Sequence, residues 1–242
     1  MLIILFFLLY FSYNENVMED LRKRKIITCL FSLIYIVLTA VIIVSSVSIF
    51  NNCYYELFYV SGSSMNPTLS GDSSDADYGL TDNSLGAKKA LKRYQLVTTH
   101  YFEHDSSLKI KRILFLPGES FKVENNEFYL YDVRTRTFGN KLEKNFEPAA
   151  GIGGYTKNFP IYNPEDPDSK PYYTLGSNEY FVAGDNWSTP YSSLDCFSLG
   201  KGIDISLLVG VVTKIEGKCV VEDGKVVKRI PGVPRYFLGV DY

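Results

Sequence analysis

Leu57-Phe58-Tyr59-Val60-Ser61-Gly62-Ser63-Ser64-Met65-Asn66-Pro67-Thr68-Leu69 (LFYVSGSSMNPTL, 57–69) opens as a run of strand-forming residues and breaks at once into a serine-rich loop. Short aromatic and β-branched runs bounded by Gly, Pro, Asn and Ser predict strands, and the chain beyond residue 50 keeps this rhythm. Residues 94–102 and 108–115 read as strands, the second closed by the turn signal Pro117-Gly118. Residues 121–123 and 128–130 flank Asn125-Asn126 as a hairpin, and 180–183 end at Gly184-Asp185-Asn186. Residues 207–215 form a further strand, and 220–227 turn on Asp223-Gly224. With 19 Tyr and 16 Phe in 242 residues, the expected fold is mainly β. Two segments interrupt the pattern. Residues 73–92 are polar, with a short helix near 87–91. Residues 135–176, rich in Gly, Pro, Asn and Lys, read as a peripheral insertion. Both are expected to form solvated surface.

The 25 residues 26–50 carry no charge. At about 1.5 Å per residue a helix of that length reaches roughly 37 Å, enough to cross a hydrocarbon core of about 30 Å. Arg22-Lys23-Arg24-Lys25 precede it, whereas residues 51–56 contain no Lys or Arg. The positive-inside rule therefore puts the amino-terminal side in the cytoplasm and the rest outside. The run exceeds the usual cleavable apolar region, so it reads as an uncleaved anchor. A second apolar stretch, 2–11, is too short to span alone. It is an interfacial segment, part of a first span or a signal-like region, or else the natural start is Met18 and 1–17 lie upstream of it. The expected organisation is a cytoplasmic segment 1–25, a transmembrane anchor 26–50 in the cell membrane, and an extracytoplasmic β-domain 51–242 carrying the 135–176 insertion. Membrane lipid is the expected surrounding of the anchor. A net charge of −2 offers no electrostatic footprint for nucleic acid.

A serine hydroxyl is a weak nucleophile near neutral pH and needs an adjacent base. His100 and His104 share one short segment, with no acid partner marked by spacing, so a serine–histidine–acid triad is weakly supported. A serine–lysine dyad is the stronger reading, with Ser64 as nucleophile and Lys111 as base. The lysine must be neutral to accept a proton, and its reference pKa is about 10.4. Burial lowers it by several units, and Ile110, Ile113 and Leu114 can supply the apolar wall. Lys109 shares a strand face with Lys111 because side chains alternate with period two, so pattern alone leaves the choice between them open.

These motifs resemble the bacterial type I signal peptidases. That family carries Ser-Met-x-Pro-Thr-Leu, here Ser64-Met65-Asn66-Pro67-Thr68-Leu69 with Gly71-Asp72 following. It carries a Lys-Arg pair leading to Pro-Gly-acid, here Lys111-Arg112 and Pro117-Gly118-Glu119. It carries Gly-Asp-Asn, here Gly184-Asp185-Asn186, and then Ser-x-Asp, here Ser193-Leu194-Asp195. The motifs occur in family order. The resemblance implies a signal-peptidase-like β-rich domain behind a transmembrane helix. It selects Ser64 over Ser61 and Ser63 as nucleophile, and Lys111 over Lys109 as general base. It implies an oxyanion donor at the Ser64 N–H, with Gly62 where some relatives have a serine. Ser193 would orient the lysine, although Ser192 is not excluded. Arg112, Asp185, Asn186 and Asp195 would support the site. Shallow pockets walled by Phe58, Val60 and Met65 would take the small residues that end a signal peptide.

The chain departs from the family pattern at several places. Phe115 stands where glycine is frequent, and Glu119 replaces aspartate. Trp187 follows Gly-Asp-Asn in place of arginine, Cys196-Phe197 replace Ser-Arg, and extra residues separate Asn186 from Ser193. Asp195 is therefore expected to lose a charged partner. Cys29, Cys53, Cys196 and Cys219 show no metal-site spacing and are expected to be free thiols. No cofactor or metal is implied. The expected function is a membrane-anchored serine endopeptidase that removes signal peptides from exported preproteins. The alternatives are a processing peptidase dedicated to one secretion or conjugation system, and a non-catalytic, membrane-tethered domain that binds extended peptides.

Overall fold

The structure, a computed structural model, describes residues 2–102, 107–149, 156–188, 195–237 and 239, with the backbone alone at 2–22, 26–27 and 51–52. It divides into two units, Met1–Cys53 and Tyr54–Tyr242.

The first unit is helical. Helix α1 (Leu2–Tyr54) is continuous through both apolar stretches and the basic segment between them. Residues 28–50 are exposed on every side, so the helix has no face reserved for a protein core. Lys23–Phe50 is long and apolar enough to cross a membrane. The hydroxyls of Thr28 and Thr39 donate back to the carbonyls of Arg24 and Tyr35 at 2.9 and 2.8 Å, which satisfies them without a water partner.

The second unit is mainly β. In chain order its strands are β1 (Tyr55–Tyr59), β2 (Ala76–Asp82), β3 (Leu96–Thr99), β4 (Lys109–Phe115), β5 (Ser120–Glu124), β6 (Glu127–Asp132), β7 (Thr137–Lys141), β8 (Tyr173–Thr174), β9 (Glu179–Ala183), β10 (Ile203–Asp204), β11 (Leu208–Glu222) and β12 (Lys225–Arg235). Helix α2 (Leu85–Lys89) follows β2, and α3 (Cys196–Leu199) precedes β10. One antiparallel sheet has the order β1-β2-β11-β3-β4-β9-β10, with β12 also paired to β11, and a smaller sheet has the order β7-β6-β5-β8. Strand β11 reaches so many partners because register shifts at 212/214 and 215/217 bend it; bulges increase local twist.

The two hairpins form where their turn residues predict. Asn125, Asn126, Asp223 and Gly224 all have positive φ, between 49° and 73°, as a two-residue turn between twisted strands requires. The strand read at 94–102 is shorter, because Tyr94 turns to φ 66° and leaves Leu96–Thr99 in the ladder.

Strand β2 lies where a polar, solvated segment is expected. Its sequence, ADYGLTD, carries no apolar alternation, yet most of it is buried between β1 and β11. Asp77, 1% exposed, accepts from Arg235 Nη2 at 2.5 Å and from the Ser70 N–H at 2.7 Å, with Lys218 Nζ at 3.2 Å. A buried carboxylate survives when its lone pairs are taken up in this way. Gly79 is required by close approach, since a Cβ there would sit 2.3 Å from the Lys214 carbonyl oxygen.

The main core is aromatic. Phe115 stacks on Phe121 at 3.7 Å and meets Phe128 and Phe181 edge-on. Phe146 and Phe159, from the 135–176 segment, are buried in the same cluster, and Phe159 exchanges both backbone hydrogen bonds with Val123. That segment thus contributes core as well as surface. All four cysteines are unbridged. Cys196 lies in the main core, whereas Cys219 packs with Ala76 and Tyr78 in a separate cluster.

Candidate active site

The loop after β1 is pinned by its own apolar residues. Met65 and Leu69 are buried with Val60, Leu96, Val212 and Ile215, while Ser64 between them stays half-buried. Gly62 has φ 82°, a conformation natural to glycine. Its N–H donates to the Gly71 carbonyl at 3.3 Å, and a Cβ on Gly71 would fall 2.0 Å from the Gly62 oxygen. Gly71 is therefore a site residue by close approach, and its place just after the serine motif is the only sequence signal for it.

The Gly184-Asp185-Asn186 turn after β9 straps this loop down. The Asn186 N–H donates to the Ser64 carbonyl at 3.0 Å, and Asn186 Nδ2 donates to the Ser63 carbonyl at 2.9 Å. Thr68 Oγ1 donates to Asp185 Oδ2 at 2.5 Å. Arg112 Nε and Nη2 donate to the same carboxylate at 2.9 and 2.6 Å, with both side chains buried. Arg112 also donates from Nη1 to the Tyr94 carbonyl at 2.8 Å and lies 4.3 Å over the Phe146 ring. Paired in this bidentate way, a buried arginine is tolerated and acts as a brace.

Lys111 sits one residue before that brace, opposite Val97 in the β3–β4 register. It is 2% exposed. Burial lowers its pKa to about 8, against an opposing pull from Asp195. Lys109 lowers it further, and Asp185 and Cys196 raise it. Of the two lysines left open by strand parity, Lys111 is the buried one and Lys109 is half-exposed. Among the described residues no hydrogen bond joins the Ser64 hydroxyl to the Lys111 amine. His100 Nδ1 is buried without a hydrogen-bond partner, and His104 lies outside the described residues.

A groove of about 390 Å³ opens beside Ser64, lined by Tyr59, Val60, Ser61 and Met65 on one side and by Ser107, Leu108, Lys109 and Ile110 on the other. Val60 and Met65 are among its lining residues. Phe58 is not among them and packs against the cluster that holds Val60, Met65 and Leu69. Tyr59, just ahead of the motif on β1, and 107–110, brought in from the start of β4, are groove residues that sequence reading missed. The β4 edge at 109–111 has no strand partner on the side where β9 pairs Arg112, Ile113 and Phe115, among the described residues.

Asp195 is buried and caps α3, accepting from the N–H groups of Phe197 and Ser198 at 3.0 and 3.2 Å and from the Gly184 N–H at 3.3 Å. Ser192 and Ser193 lie outside the described residues. Trp187 is 1% exposed and donates from Nε1 to the Gly184 carbonyl at 2.7 Å. It meets Phe128, Phe146 and Phe197 edge-on. The two departures at Trp187 and Phe197 thus extend the aromatic core under the site. Among the described residues there is no cluster of His, Cys, Asp and Glu able to hold a metal ion.

Comparison with known proteins matches residues 30–215 to the family model described as signal peptidase, peptidase S26. The chain is 28% identical over 173 residues to signal peptidase I U of Bacillus subtilis (strain 168), covering 72% of this chain and 80% of that protein. It is also similar to the crystal structure of a signal peptidase I from Enterococcus faecalis V583, at 21% identity and a TM-score of 0.37, covering 51% of this chain and 97% of that one.

Proposed function

Because the chain belongs to the signal peptidase family, peptidase S26, and is a serine peptidase that cleaves signal peptides, we propose that Ser64 and Lys111 form its catalytic dyad. The observation that carries this reading is the burial of the Lys111 amine. Near pH 8 about half of such amines are neutral, whereas a solvated lysine is almost wholly charged.

In this reading the neutral Lys111 amine takes the proton of the Ser64 hydroxyl as Oγ attacks the scissile carbonyl. The backbone N–H of Ser64 donates to the developing oxyanion. The lysinium then gives its proton to the departing amine, leaving an acyl-Ser64 ester. Lys111, neutral again, deprotonates the water that hydrolyses the ester, and both groups return to their starting states. The absence of a resting hydrogen bond between the two is compatible with this, because catalytic contacts tighten when substrate fills the site.

The groove supports an extended peptide as substrate. The free edge at 109–111 offers backbone partners for β-augmentation, and the walls at Val60 and Met65 favour small side chains. The precursor enters between 59–61 and 107–110, which brings its carbonyl to Ser64. The apolar helix Lys23–Phe50 serves as a single membrane anchor with residues 22–25 on the cytoplasmic side. The catalytic unit is then extracytoplasmic, where signal peptides of exported preproteins emerge, and the anchor raises local concentration without new contacts. Lipid surrounds the anchor, and the groove serves no nucleic acid.

The test is cleavage of a precursor by the purified protein in detergent. Ser64→Ala and Lys111→Ala are each expected to abolish it with the fold intact. Retained cleavage in Lys111→Ala overturns the dyad. The family departures at Trp187 and Phe197 give the non-catalytic reading no support, since both rings pack into the aromatic core.

A further inference from the structure

The loop that carries Ser64 is tied at its neck to Asp77. The chain enters the loop at Val60, whose N–H donates to the Asp77 carbonyl at 2.8 Å. It leaves at Ser70, whose carbonyl accepts from the Asp77 N–H at 2.8 Å. The Ser70 N–H donates in turn to Asp77 Oδ2 at 2.7 Å. Both ends of the loop therefore rest on one buried residue of β2.

Strand β12 reaches the same neck. Arg235 lies opposite Ile215 in the β11–β12 register, and its guanidinium forks between two acceptors. Nη2 donates to Asp77 Oδ1 at 2.5 Å, and Nη1 donates to the Thr68 carbonyl at 3.1 Å. Thr68 is thus held from two sides, because its hydroxyl donates to Asp185 Oδ2, the oxygen that also takes Arg112 Nη2. Two residues beyond Arg235, Phe237 packs against the cluster that buries Met65 and Leu69. Lys218 Nζ lies 3.2 Å from Asp77 Oδ1, so Asp77 keeps a counter-ion when Arg235 is replaced. What Arg235 adds is a bridge from the neck to the loop. A planar guanidinium holds two acceptors in a fixed geometry, whereas an ammonium is a point charge.

We infer that Arg235 is a positioning residue for catalysis: its guanidinium ties the Thr68 carbonyl to Asp77 and so holds the loop in the geometry from which Ser64 attacks. The inference rests on the reading of Ser64 as the nucleophile. Arg235 is not among the residues that line the groove, so its loss acts on the chemical step and not on substrate binding.

The experiment measures kcat and KM for the full chain in detergent, acting on a synthetic precursor peptide, with the urea midpoint beside them. Arg235→Gln is expected to lower kcat about tenfold, short of the roughly hundredfold that a 1 Å misplacement costs, with KM little changed. Arg235→Lys keeps a cation opposite Asp77 but loses the fork. Its urea midpoint is expected to stay close to that of the parent while kcat remains low. An unchanged kcat in Arg235→Gln overturns the proposal. So does a parent-like kcat in Arg235→Lys, which would leave charge alone as the role. A rise in KM that accounts for the whole loss of kcat/KM overturns it as well, since that would place Arg235 in substrate binding. If Arg235→Gln fails to fold, the kcat of Arg235→Lys decides. Ser64→Ala separates the two levels: if it still cleaves, the nucleophile itself is wrong. If it is inactive while Arg235→Gln keeps its kcat, only the role of Arg235 falls.

Discussion

The backbone N–H of Asn186 donates to the carbonyl oxygen of Ser64 at 3.0 Å, so the turn after β9 fixes the proposed nucleophile's own peptide unit. The side chain repeats the strap one residue earlier, at the Ser63 carbonyl. Asn186→Ala keeps the first bond and loses the second. A hydrogen bond of this kind contributes about 1 kcal/mol. The expected result is a fall in kcat of roughly fivefold with KM little changed, measured on a precursor peptide; an unchanged kcat would show that the backbone strap suffices.

Lys111 gives a pH-dependent prediction. The proposed base must be neutral, so kcat/KM should rise with pH and level off above about 8. A profile that is flat from pH 6 to 9 contradicts the assignment.

The same group makes a prediction for stability. The folded pKa of Lys111 is lowered from 10.5 to about 8, so between those values the unfolded chain binds more protons than the folded one. Stability therefore rises with pH across that window. Below it the buried amine costs about 3 kcal/mol, on the order of 1.4 per unit. Lys111→Met should be inactive and yet more stable at pH 7, with the gain shrinking as pH passes 8. Urea unfolding at pH 7 and pH 10 checks both halves.

Arg112 and Asp185 behave in the opposite way. Removing either partner leaves a buried charge unpaired, at a cost of about 3 to 5 kcal/mol. Asp185→Ala should lower the urea midpoint and release Thr68 together with Arg112. A midpoint within the error of the parent would mean that the pair is not buried in solution.

Gly71→Ala tests the nucleophile loop alone. The added methyl meets the Gly62 oxygen at 2.0 Å, so the turn carrying Ser64 must open. Cleavage is expected to fall at least about tenfold, the loss that a barrier rise of about 1.4 kcal/mol brings, while far-ultraviolet dichroism stays that of the parent. Full activity would show that the two glycines do not touch.

Much of this architecture is legible in the chain because local chemistry announces it. Asn125-Asn126 and Asp223-Gly224 are residue types that favour the positive φ they adopt, and 26–50 is long and apolar enough to cross a membrane. Strand β2 is not legible, since Asp77 is buried by Arg235, which lies 158 positions away. Phe115 and Trp187 read as departures at the motif level, but each is a ring in one aromatic core whose other members run from Tyr94 to Phe197. Lys157, 3% exposed, lies in a stretch whose composition suggests only solvated surface. Its burial depends on contacts with Asn126 and Phe197 that no spacing encodes. The proposed dyad residues lie in local, readable motifs, whereas the buried pairs around them, Arg112 with Asp185 and Asp77 with Arg235, are made by tertiary contact.

Arg235, near the end of β12, donates to the Thr68 carbonyl at 3.1 Å as well as to Asp77. Strand β12 is thus stitched onto the loop that bears Ser64. A nascent molecule has Ser64 early and gains this clasp only once residue 235 has been made. Chains stopped short of residue 235 are expected to keep the serine but to hold its loop more loosely.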